Sequence, residues 1–286
     1  MTKLNVGFLH PGAMGISLAA TAQNTGHTVC WVSERRSQQT HERAAKSGLV
    51  DTQTLEKLCE TCAVIVSVCP PHAAEEVADQ VRTCSFKGMY LDANAISPER
   101  AKRIGQPMAE AGVMFVDGGI IGGPAWEPGR TWLYLAGREA ERVTDCFSAG
   151  PLETRIIGES VGKASALKMC YAAYTKGTTA LLCAILATSE KLAVREALEG
   201  QWSRDGAKFA DQTKDRIRQV TAKAWRFEGE MREIAATFRE AGVPGDFHRA
   251  AEEIYRRIAH FKGAAETPSL EEVLEALIRV AESDVV

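Results

Sequence analysis

The sequence has few of the features that mark membrane proteins, exported proteins or general nucleic-acid binders. Its formal net charge is −3 at pH 7, and no long run of Lys or Arg supplies the concentrated basic face that phosphate contacts need. No stretch reaches about 18 consecutive apolar residues, so no membrane-spanning helix is expected. The first residues lead directly into a strand pattern and show no secretory signal, so we expect a cytoplasmic protein that binds neither nucleic acid nor membrane.

The eight cysteines lack the spacing of a metal site or a disulfide framework. Most of them stand inside apolar runs, as the reduced, buried thiols of cytosolic proteins do. Cys59 and Cys62 form a lone C-x-x-C motif, and a zinc site would need two further ligands at suitable spacing. The sequence therefore predicts no metal site.

The chain length and the change of pattern along the chain predict two domains. The 286 residues fit two domains of ordinary size. Buried strands alternate with helical patterns and are expected at residues 3–9, 28–32, 63–68, 89–92, 114–117, 131–136 and 154–157. This rhythm predicts an α/β Rossmann-type domain with a doubly wound parallel sheet over residues 1–160. Strand patterns largely vanish afterwards, so we expect an all-α C-terminal domain over residues 161–286 that serves substrate binding and dimerisation.

Periodic apolar residues place the helices. A first helix is expected over residues 14–24 with Gly26 as its stop, and residues 162–198 predict one long helix or two closely joined ones. Two later apolar stripes are Met231, Ile234, Ala235 and Phe238, and Phe247, Ala251, Ile254, Ile258 and Phe261, the second with Asp246 as N-cap. Ser269 and Glu272 have the spacing of a capping box and open the last helix.

The loop between the first strand and the first helix predicts dinucleotide binding. It consists of His10, Pro11, Gly12, Ala13, Met14 and Gly15. A pyrophosphate needs backbone N–H donors at a helix N-terminus and room for close approach, which Gly12 provides by lacking a Cβ. His10 stands where the first glycine of G-x-G-x-x-G is expected, so a tight turn of another α/β protein is the alternative.

The end of the second strand bears on the choice between NADP and NAD. An acidic residue in this region holds the ribose hydroxyls of NAD, whereas a nearby Arg accommodates the extra phosphate of NADP. Glu34 is present, but Ser33 stands at the strand end, and Arg35 and Arg36 can supply charge-assisted donors. We therefore expect NADP, with NAD as the alternative. The two arginines can also belong to a solvent-exposed surface loop with no role in binding.

Five motifs, in order and in register over roughly residues 4–185, resemble those of the β-hydroxyacid dehydrogenases and their relatives, the 6-phosphogluconate dehydrogenases and imine reductases. The motifs lie at residues 7–15, 68–71, 92–98, 117–123 and 162–168. They look like the nucleotide loop, a turn along the cofactor, the D-x-S-T-x-S-P stretch, the D-A-P-V-S-G-G substrate loop and the G-x-x-x-x-x-K helix. Beyond about residue 190 the chain resembles an uncharacterised C-terminal domain type attached to such domains.

The resemblance implies roles for particular residues. It places Cys69, Pro70, Pro71 and Asn94 along the cofactor, and Ile121, Gly122 and Gly123 at the substrate. It also makes Lys168 the general acid or base on the substrate oxygen, a role that suits a desolvated lysine. The alternative is that Lys168 is an ordinary solvent-exposed lysine on a helix surface, as most lysines are.

Three departures from the family pattern change the expected substrate. Tyr171 and Ala172 stand where the family has a substrate-binding Asn, Ile121 replaces the serine of the substrate loop, and Asn94 replaces the serine of the D-x-S-T stretch. A small hydroxy-acid carboxylate normally needs those donors. The substrate is therefore expected to be less anionic or larger.

Other side chains can take over the lost contacts. Lys168, Tyr171 and Tyr174 follow one another at i, i+3 spacing, so one helix face can carry all three, and a Tyr hydroxyl can donate a hydrogen bond or a proton. The alternative is that both tyrosines pack in the interdomain core. Glu230 and His248 are expected to close the substrate cleft, although each can also be structural.

These observations lead to three hypotheses. The first is a dehydrogenase or reductase that transfers hydride between the nicotinamide and a carbon bearing oxygen in a small molecule. The second is an imine or enamine reductase. The third is a dinucleotide-binding sensor that has lost catalysis. For any of them we expect a homodimer, the commonest oligomer.

Overall fold

The computed structural model describes residues 2–206 and 208–279. The chain divides into two units, Met1–Met169 and Cys170–Val286. The division falls inside a helix, because the first part of that helix packs on a strand of the first unit. In the described part of the chain, no helix combines the length and the apolar character that a membrane span requires.

The first unit contains a mostly parallel sheet in the order β3-β2-β1-β4-β5-β6-β7-β8. Its strands are β1 Asn5–Phe8, β2 Thr28–Trp31, β3 Val50–Asp51, β4 Val64–Ser67, β5 Met89–Asp92, β6 Met114–Gly122, β7 Thr131–Ala136 and β8 Leu152–Gly158. The predicted Rossmann-type fold is confirmed. The edge strand β3 was not expected from the sequence, since two exposed residues carry no apolar pattern.

The sheet departs from the predicted parallel arrangement at one pair of strands. β6 and β7 run antiparallel, from Asp117 opposite Ala136 to Gly122 opposite Thr131. β6 is also longer than predicted and continues to Gly122. The segment that joins the two strands is short, whereas a parallel crossover needs a dozen or more residues. The short connection therefore forces the chain to turn back on itself.

Helices cover both faces of this sheet. They are α1 Ala13–Asn24, α2 Gln38–Lys46, α3 Leu55–Thr61, α4 Ala74–Thr83, α5 Pro98–Glu110, α6 Ala140–Asp145 and α7 Lys163–Ala172. Successive strand residues enter opposite cores, since Val64 and Val66 pack in one apolar cluster and Ile65 in the other. This alternation is what a strand buried on both faces produces. Gly26 follows α1 at φ +97°, as predicted for a helix stop.

The second unit is helical among its described residues. After α7 come a π turn at Ala173–Gly177, α8 Thr178–Lys191, α9 Arg195–Asp205, α10 Phe209–Glu240, α11 Asp246–Arg257, a 3₁₀ turn at Ala259–Phe261 and α12 Leu270–Ile278. The helical run predicted over residues 162–198 is thus interrupted twice, by the π turn and by the residues after Lys191, where Ala193 has φ +55°. The capping box of Ser269 and Glu272 is confirmed.

The buried face of α11 differs from the predicted stripe. His248, Ala251 and Tyr255 are buried, whereas Phe247 is 48% exposed. Asp246 is the first helical residue, and Gly245 is the N-cap. A Cβ on Gly245 would lie 2.4 Å from the carbonyl oxygen of Ala235. We infer that this close approach to α10 sets the rotation of α11, which apolar periodicity alone could not reveal.

Candidate active site

The loop between β1 and α1 has the geometry of a phosphate-binding turn. Gly12 is the N-cap of α1 and no side chain caps the helix, so N–H groups of the first turn are available to a ligand. A Cβ on Gly12 would meet no described protein atom within 4 Å. A Cβ on Gly15 would lie 2.4 Å from the carbonyl oxygen of His10. Gly12 therefore keeps the ligand side open, and Gly15 lets α1 start close behind the loop.

Three predicted cofactor residues come together where β1, β2 and β4 end. Burial, and then the charge of Arg36, lower the pKa of His10 to about 4. Burial lowers the pKa of Arg36, while Cys69 and Glu34 oppose that shift. Burial raises the pKa of Cys69 to about 12. His10 is therefore neutral and Arg36 charged at neutral pH, at the edge where parallel α/β sheets bind nucleotides.

Two buried nitrogen atoms in this cluster lack hydrogen-bond partners in the described part of the chain. They are Nδ1 of His10 and Nε of Arg36. Buried polar atoms are normally hydrogen-bonded, so such atoms call for a ligand or an ordered water. A further cation lies beside the loop, because Nη1 of Arg43 donates to the carbonyl oxygen of Pro11 at 3.3 Å. Sequence reasoning missed Arg43, which lies on α2 outside any motif.

The remaining predicted cofactor residues have more varied environments. Ala13 and Met14 form the first turn of α1. Ser33 is half-buried, whereas the side chain of Arg35 is 90% exposed beside Glu34. Pro70 and Pro71 open a short 3₁₀ turn after β4, with Pro71 buried. Of the two arginines, Arg36 is therefore the one that lies beside His10 and Cys69.

Asn94 links the ends of β4 and β5 through hydrogen bonds. Its Oδ1 accepts a hydrogen bond from the Cys69 amide at 2.6 Å, and its Nδ2 donates to Oγ of Ser67 at 3.1 Å. Its own amide donates to Oδ1 of Asp92 at 3.0 Å. The side chain is thus already engaged by the protein, and its contact with a cofactor stays a prediction.

Asp92 carries a buried carboxyl group that accepts the hydrogen bond from the Asn94 amide. It is 1% exposed, and its Oδ2 has no hydrogen-bond partner among the described residues. Burial raises the pKa of Asp92 to about 7, and the nearby Asp117 adds to the rise, while the Asn94 amide and Arg100 oppose it. Sequence reasoning quoted Asp92 in a motif without assigning it a role.

Lys168 lies on α7 and reaches back to β6. Its Nζ donates a hydrogen bond to the carbonyl oxygen of Ile120. A Cβ on Gly119 would lie 2.5 Å from the carbonyl oxygen of Ala164 and 3.1 Å from Cβ of Lys168. Glycine at 119 therefore allows α7 to lie directly against the strand. Sequence reasoning missed Ile120, because it contributes a backbone atom, for which no sequence signature exists.

The predicted substrate loop contributes few polar side-chain atoms. Ile121 is buried and apolar, at 8% exposure. Gly122 has φ +123°, and a Cβ there would lie 2.3 Å from the carbonyl oxygen of Arg130, so only glycine fits. The carbonyl oxygen of Gly123 accepts a hydrogen bond from Thr131 at 2.7 Å. Ile121, Gly122 and Gly123 therefore supply no side-chain hydroxyl donor.

Tyr171 and Tyr174 are both exposed, at 46% and 72%. Tyr171 lies on α7, but Tyr174 lies in the π turn at Ala173–Gly177. A π turn inserts extra chain into the helix, so the i, i+3 alignment predicted for a regular helix does not hold between them.

The other two predicted substrate residues, Glu230 and His248, surround the π turn. Glu230 forms an ion pair with Lys176, whose Nζ lies 4.4 Å from the ring centroid of Phe227. Burial lowers the pKa of Lys176, and Glu230 opposes that shift. His248 is buried against Phe238, with ring centroids 4.5 Å apart, and burial lowers the pKa of its imidazole. The carboxylate of Glu230 is therefore already paired within the second unit.

Side chains from neighbouring helices bond the backbone of the π turn. Arg216 donates from Nη2 to the carbonyl oxygen of Thr175 at 2.6 Å. Tyr255 donates from its hydroxyl to the carbonyl oxygen of Lys176 at 2.7 Å. Carbonyl groups left without regular helical partners need such donors. The π turn is thus built into the packing of α8, α10 and α11.

The cysteines form no disulfide, and all eight are free thiols. Cys59 and Cys62 of the C-x-x-C motif are buried, and burial raises the pKa of Cys59 to about 12. In the described part of the chain, no cluster of three or more potential ligands is arranged to hold a metal ion. Cys170 is exposed, and the other cysteines are buried or half-buried.

The dinucleotide-binding part of the chain matches a known family. Residues 5–148 match the family described as the NAD binding domain of 6-phosphogluconate dehydrogenase. The chain belongs to this family. Residues 190–258 match a domain of unknown function, DUF1932.

Relatives of this family member include proteins with and without an assigned activity. The chain is 29% identical over 216 residues to an uncharacterised 28.5 kDa protein of Methanothermus fervidus, covering 75% of this chain and 82% of that protein. It is 26% identical over 201 residues to the mitochondrial 3-hydroxyisobutyrate dehydrogenase of Drosophila melanogaster. That match covers 68% of this chain and 60% of the Drosophila enzyme.

Solved structures agree with the fold. The conserved protein MTH1747, of unknown function and described as similar to 3-hydroxyacid dehydrogenases, is 28% identical with a TM-score of 0.67, covering 92% of this chain and all of that one. A 3-hydroxyisobutyrate dehydrogenase of Mycobacterium tuberculosis has a TM-score of 0.70 at 16% identity, covering 97% and 100%. A reductive aminase of Aspergillus terreus has a TM-score of 0.56 at 14% identity, covering 96% and 99%. At these identities the last two share the fold alone.

Membership of the 6-phosphogluconate dehydrogenase NAD-binding family confirms the expected class. The protein is an NAD(P)-dependent dehydrogenase or reductase, with a Rossmann-type domain followed by a helical region. The residues of the β1–α1 loop lie inside the matched segment, as do those that follow β4, β5 and β6.

Proposed function

We propose that this enzyme is an NADPH-dependent oxidoreductase that acts on a carbon bearing oxygen in a small molecule, with Lys168 as the proton carrier. The observation that carries the proposal is the hydrogen bond from Nζ of Lys168 to the carbonyl oxygen of Ile120. It directs the amine to the end of β6, beyond which parallel α/β sheets hold their ligands.

The residues present fit a dinucleotide. The open face of Gly12 and the first-turn amides of α1 suit a pyrophosphate, because they combine N–H donors with room for close approach. Nε of Arg36 is buried without a partner among the described residues, which suits the extra phosphate of NADP. When bound, the nicotinamide supplies or accepts the hydride.

Lys168 would hold the proton that the substrate oxygen gains or loses. An ammonium group donates to a carbonyl oxygen during reduction, and a neutral amine accepts the hydroxyl proton during oxidation. The carbonyl of Ile120 orients the amine in either state, because it accepts a hydrogen bond from both forms. The Lys168 side chain is half-buried, which limits its access to water.

The test of this role is Lys168→Ala in the full chain. We expect NADPH affinity to be retained and kcat/KM to fall by about 10²–10⁴, the usual contribution of general acid–base catalysis. Lys163→Ala is the matched control, since Lys163 is an exposed lysine on the same helix. Undiminished turnover in Lys168→Ala would overturn the assignment.

The NADP preference is tested at the two neighbouring arginines. Arg36→Ala should weaken NADPH binding by about 10–100-fold, the value of a charged hydrogen bond, and leave NADH binding nearly unchanged. Arg35→Ala serves as the control because its side chain is 90% exposed. Equal weakening of NADPH and NADH in Arg36→Ala would contradict the preference. Fluorescence titration measures both affinities.

A second candidate function is the reduction of imines or enamines. The apolar, buried Ile121 favours it, because the substrate loop offers no serine hydroxyl there for an anionic carboxylate. NADPH oxidation with ketoacids, aldehydes and cyclic imines separates the candidates. Turnover confined to ketoacids would contradict the expectation of a less anionic substrate. Tight NADPH binding without turnover on any of them would favour the sensor hypothesis.

We also propose that residues 1–160 bind the dinucleotide, that residues 161–286 complete substrate binding and dimerisation, and that the protein is a cytoplasmic homodimer. Exposed apolar side chains in the helical unit support the dimer; they include Leu181, Leu192, Val194 and Phe209. Light scattering at micromolar concentration tests the dimer, and a monomeric mass would contradict it.

A further inference from the structure

Asp117, on β6, binds the first turn of α7 through its buried carboxylate. Oδ2 accepts hydrogen bonds from the amides of Gly162, Ala164 and Ser165 at 2.8, 2.9 and 3.2 Å. Oδ1 accepts from the hydroxyl of Ser165 at 2.6 Å. The residue is 1% exposed. One side chain thus satisfies four donors at the start of the helix that carries Lys168.

This arrangement differs from an ordinary helix cap. A cap is normally the residue that precedes the helix and satisfies one or two amides. Asp117 lies 45 residues before Gly162 in the chain and belongs to a sheet strand. The same strand receives Nζ of Lys168 at Ile120. A single strand therefore holds both the start of α7 and the amine one turn further along.

The contact between β6 and α7 leaves little room for adjustment. At Gly119 even one added carbon would lie 2.5 Å from the Ala164 carbonyl oxygen, a distance that requires the backbone to shift. Because α7 lies directly against the strand, a change in its anchoring at Asp117 must displace the helix along or around its axis. Either displacement moves Lys168 relative to the sheet edge.

We propose that Asp117 is a positioning residue that sets the place of the Lys168 amine by anchoring the first turn of α7 to β6. The proposal rests on the proposed function of Lys168. Burial raises the pKa of Asp117, while the four donors oppose the rise and favour the charged form at a helix N-terminus. Asparagine is nearly isosteric but neutral and carries an NH₂ group, so it cannot accept all four hydrogen bonds.

The experiment is a double-mutant cycle in the full chain. Asp117→Asn alone should lower kcat by about 10–100-fold, the effect of a misplacement of about 1 Å, with the NADPH dissociation constant little changed. In the Lys168→Ala background the same substitution should have almost no further effect, since the residue that it positions is gone. A purely structural role would lower the residual turnover by the same factor in both backgrounds.

Ser165→Ala keeps the test valid if Asp117→Asn fails to fold. It removes only the hydroxyl donor and leaves the three amide bonds, so we expect kcat to fall about 2–5-fold, again only when Lys168 is present. Additive losses in either cycle would overturn the positioning role. If Lys168→Ala alone leaves turnover undiminished, the proposed function fails as well, so this single variant distinguishes the two failures.

Discussion

The buried carboxyl groups of the two units are bonded in different ways. In the first unit Asp92 accepts a hydrogen bond from the Asn94 amide, and Asp117 accepts from amides at the start of α7. In the second unit Lys176 and Glu230 pair with each other beside a π turn. Side chains that are hydrogen-bonded to the backbone are held in defined positions, as the groups of an active site need to be. For a buried ion pair, the cost of desolvation largely offsets the attraction between the charges.

This difference changes the expectation for the helical unit. The sequence marked Glu230 and His248 as substrate residues, yet Glu230 is paired and His248 packs on Phe238. Both side chains therefore have partners within the helical unit.

The largest effect is expected for Glu230→Ala. Removing the carboxylate leaves Lys176 buried without its partner, so the free energy of unfolding should fall by about 3–5 kcal/mol. The double variant Lys176→Met with Glu230→Leu is the control and should unfold within about 1 kcal/mol of the unaltered protein, because it removes both charges. Urea unfolding measures both. A small loss of stability in Glu230→Ala together with lost turnover would instead return Glu230 to the substrate site.

Asp92 should make the first unit less stable as the pH rises. Its pKa is raised from 3.8 to about 7 in the folded protein, so the folded state binds the proton more tightly than the unfolded one. The contribution is present at low pH and is lost as the pH rises from about 4 through 7. Between pH 5.5 and 7.5 the free energy of unfolding should fall by about 2 kcal/mol more in the unaltered protein than in Asp92→Asn. Equal pH dependence of the two proteins would contradict the raised pKa.

Two glycines of the β1–α1 loop should separate ligand binding from folding. Gly12→Ala should weaken NADPH binding about tenfold, or about 1.4 kcal/mol, with the unfolding midpoint unchanged, since the added Cβ meets no described protein atom within 4 Å. Gly15→Ala is the counterpart and should lower stability, because its Cβ would lie 2.4 Å from the His10 carbonyl oxygen. Unchanged NADPH affinity in Gly12→Ala would show that the loop does not approach the ligand closely.

The smallest effect is expected for Tyr255→Phe. The substitution keeps the ring, which packs edge-on against Phe227, and removes the hydrogen bond to the Lys176 carbonyl oxygen. The free energy of unfolding should fall by about 1 kcal/mol. Ligand affinities should stay constant. A shift in substrate KM would show that the π turn also serves the site.

Local patterns predicted most of the first unit. Apolar runs located the strands from β1 to β8 except the two-residue β3, and the glycines of the β1–α1 loop located the phosphate turn. The antiparallel course of β7 was missed, because strand direction depends on how the chain returns rather than on composition. The π turn was missed as well, since the residues Ala173–Gly177 carry no pattern that distinguishes it from a turn of α-helix.

The site itself was only partly predictable. Lys168 followed from a motif, but its partner is the backbone of Ile120, which any residue could provide. Asp117 stands in a different motif, at residues 117–123, and its bonds reach across more than forty positions of the chain. The rotation of α11 depends on the close contact between Gly245 and Ala235 of α10. The apolar pattern of α11 by itself gives no information on that contact.

The uneven exposure of the thiols gives the protein a natural labelling position. Cys170 is exposed, while Cys59, Cys62, Cys183 and the others are buried or half-buried, so a maleimide dye under native conditions should attach first at Cys170. That position lies two residues after Lys168 on α7. A fluorophore placed there would report changes around Lys168 during turnover without any engineered cysteine.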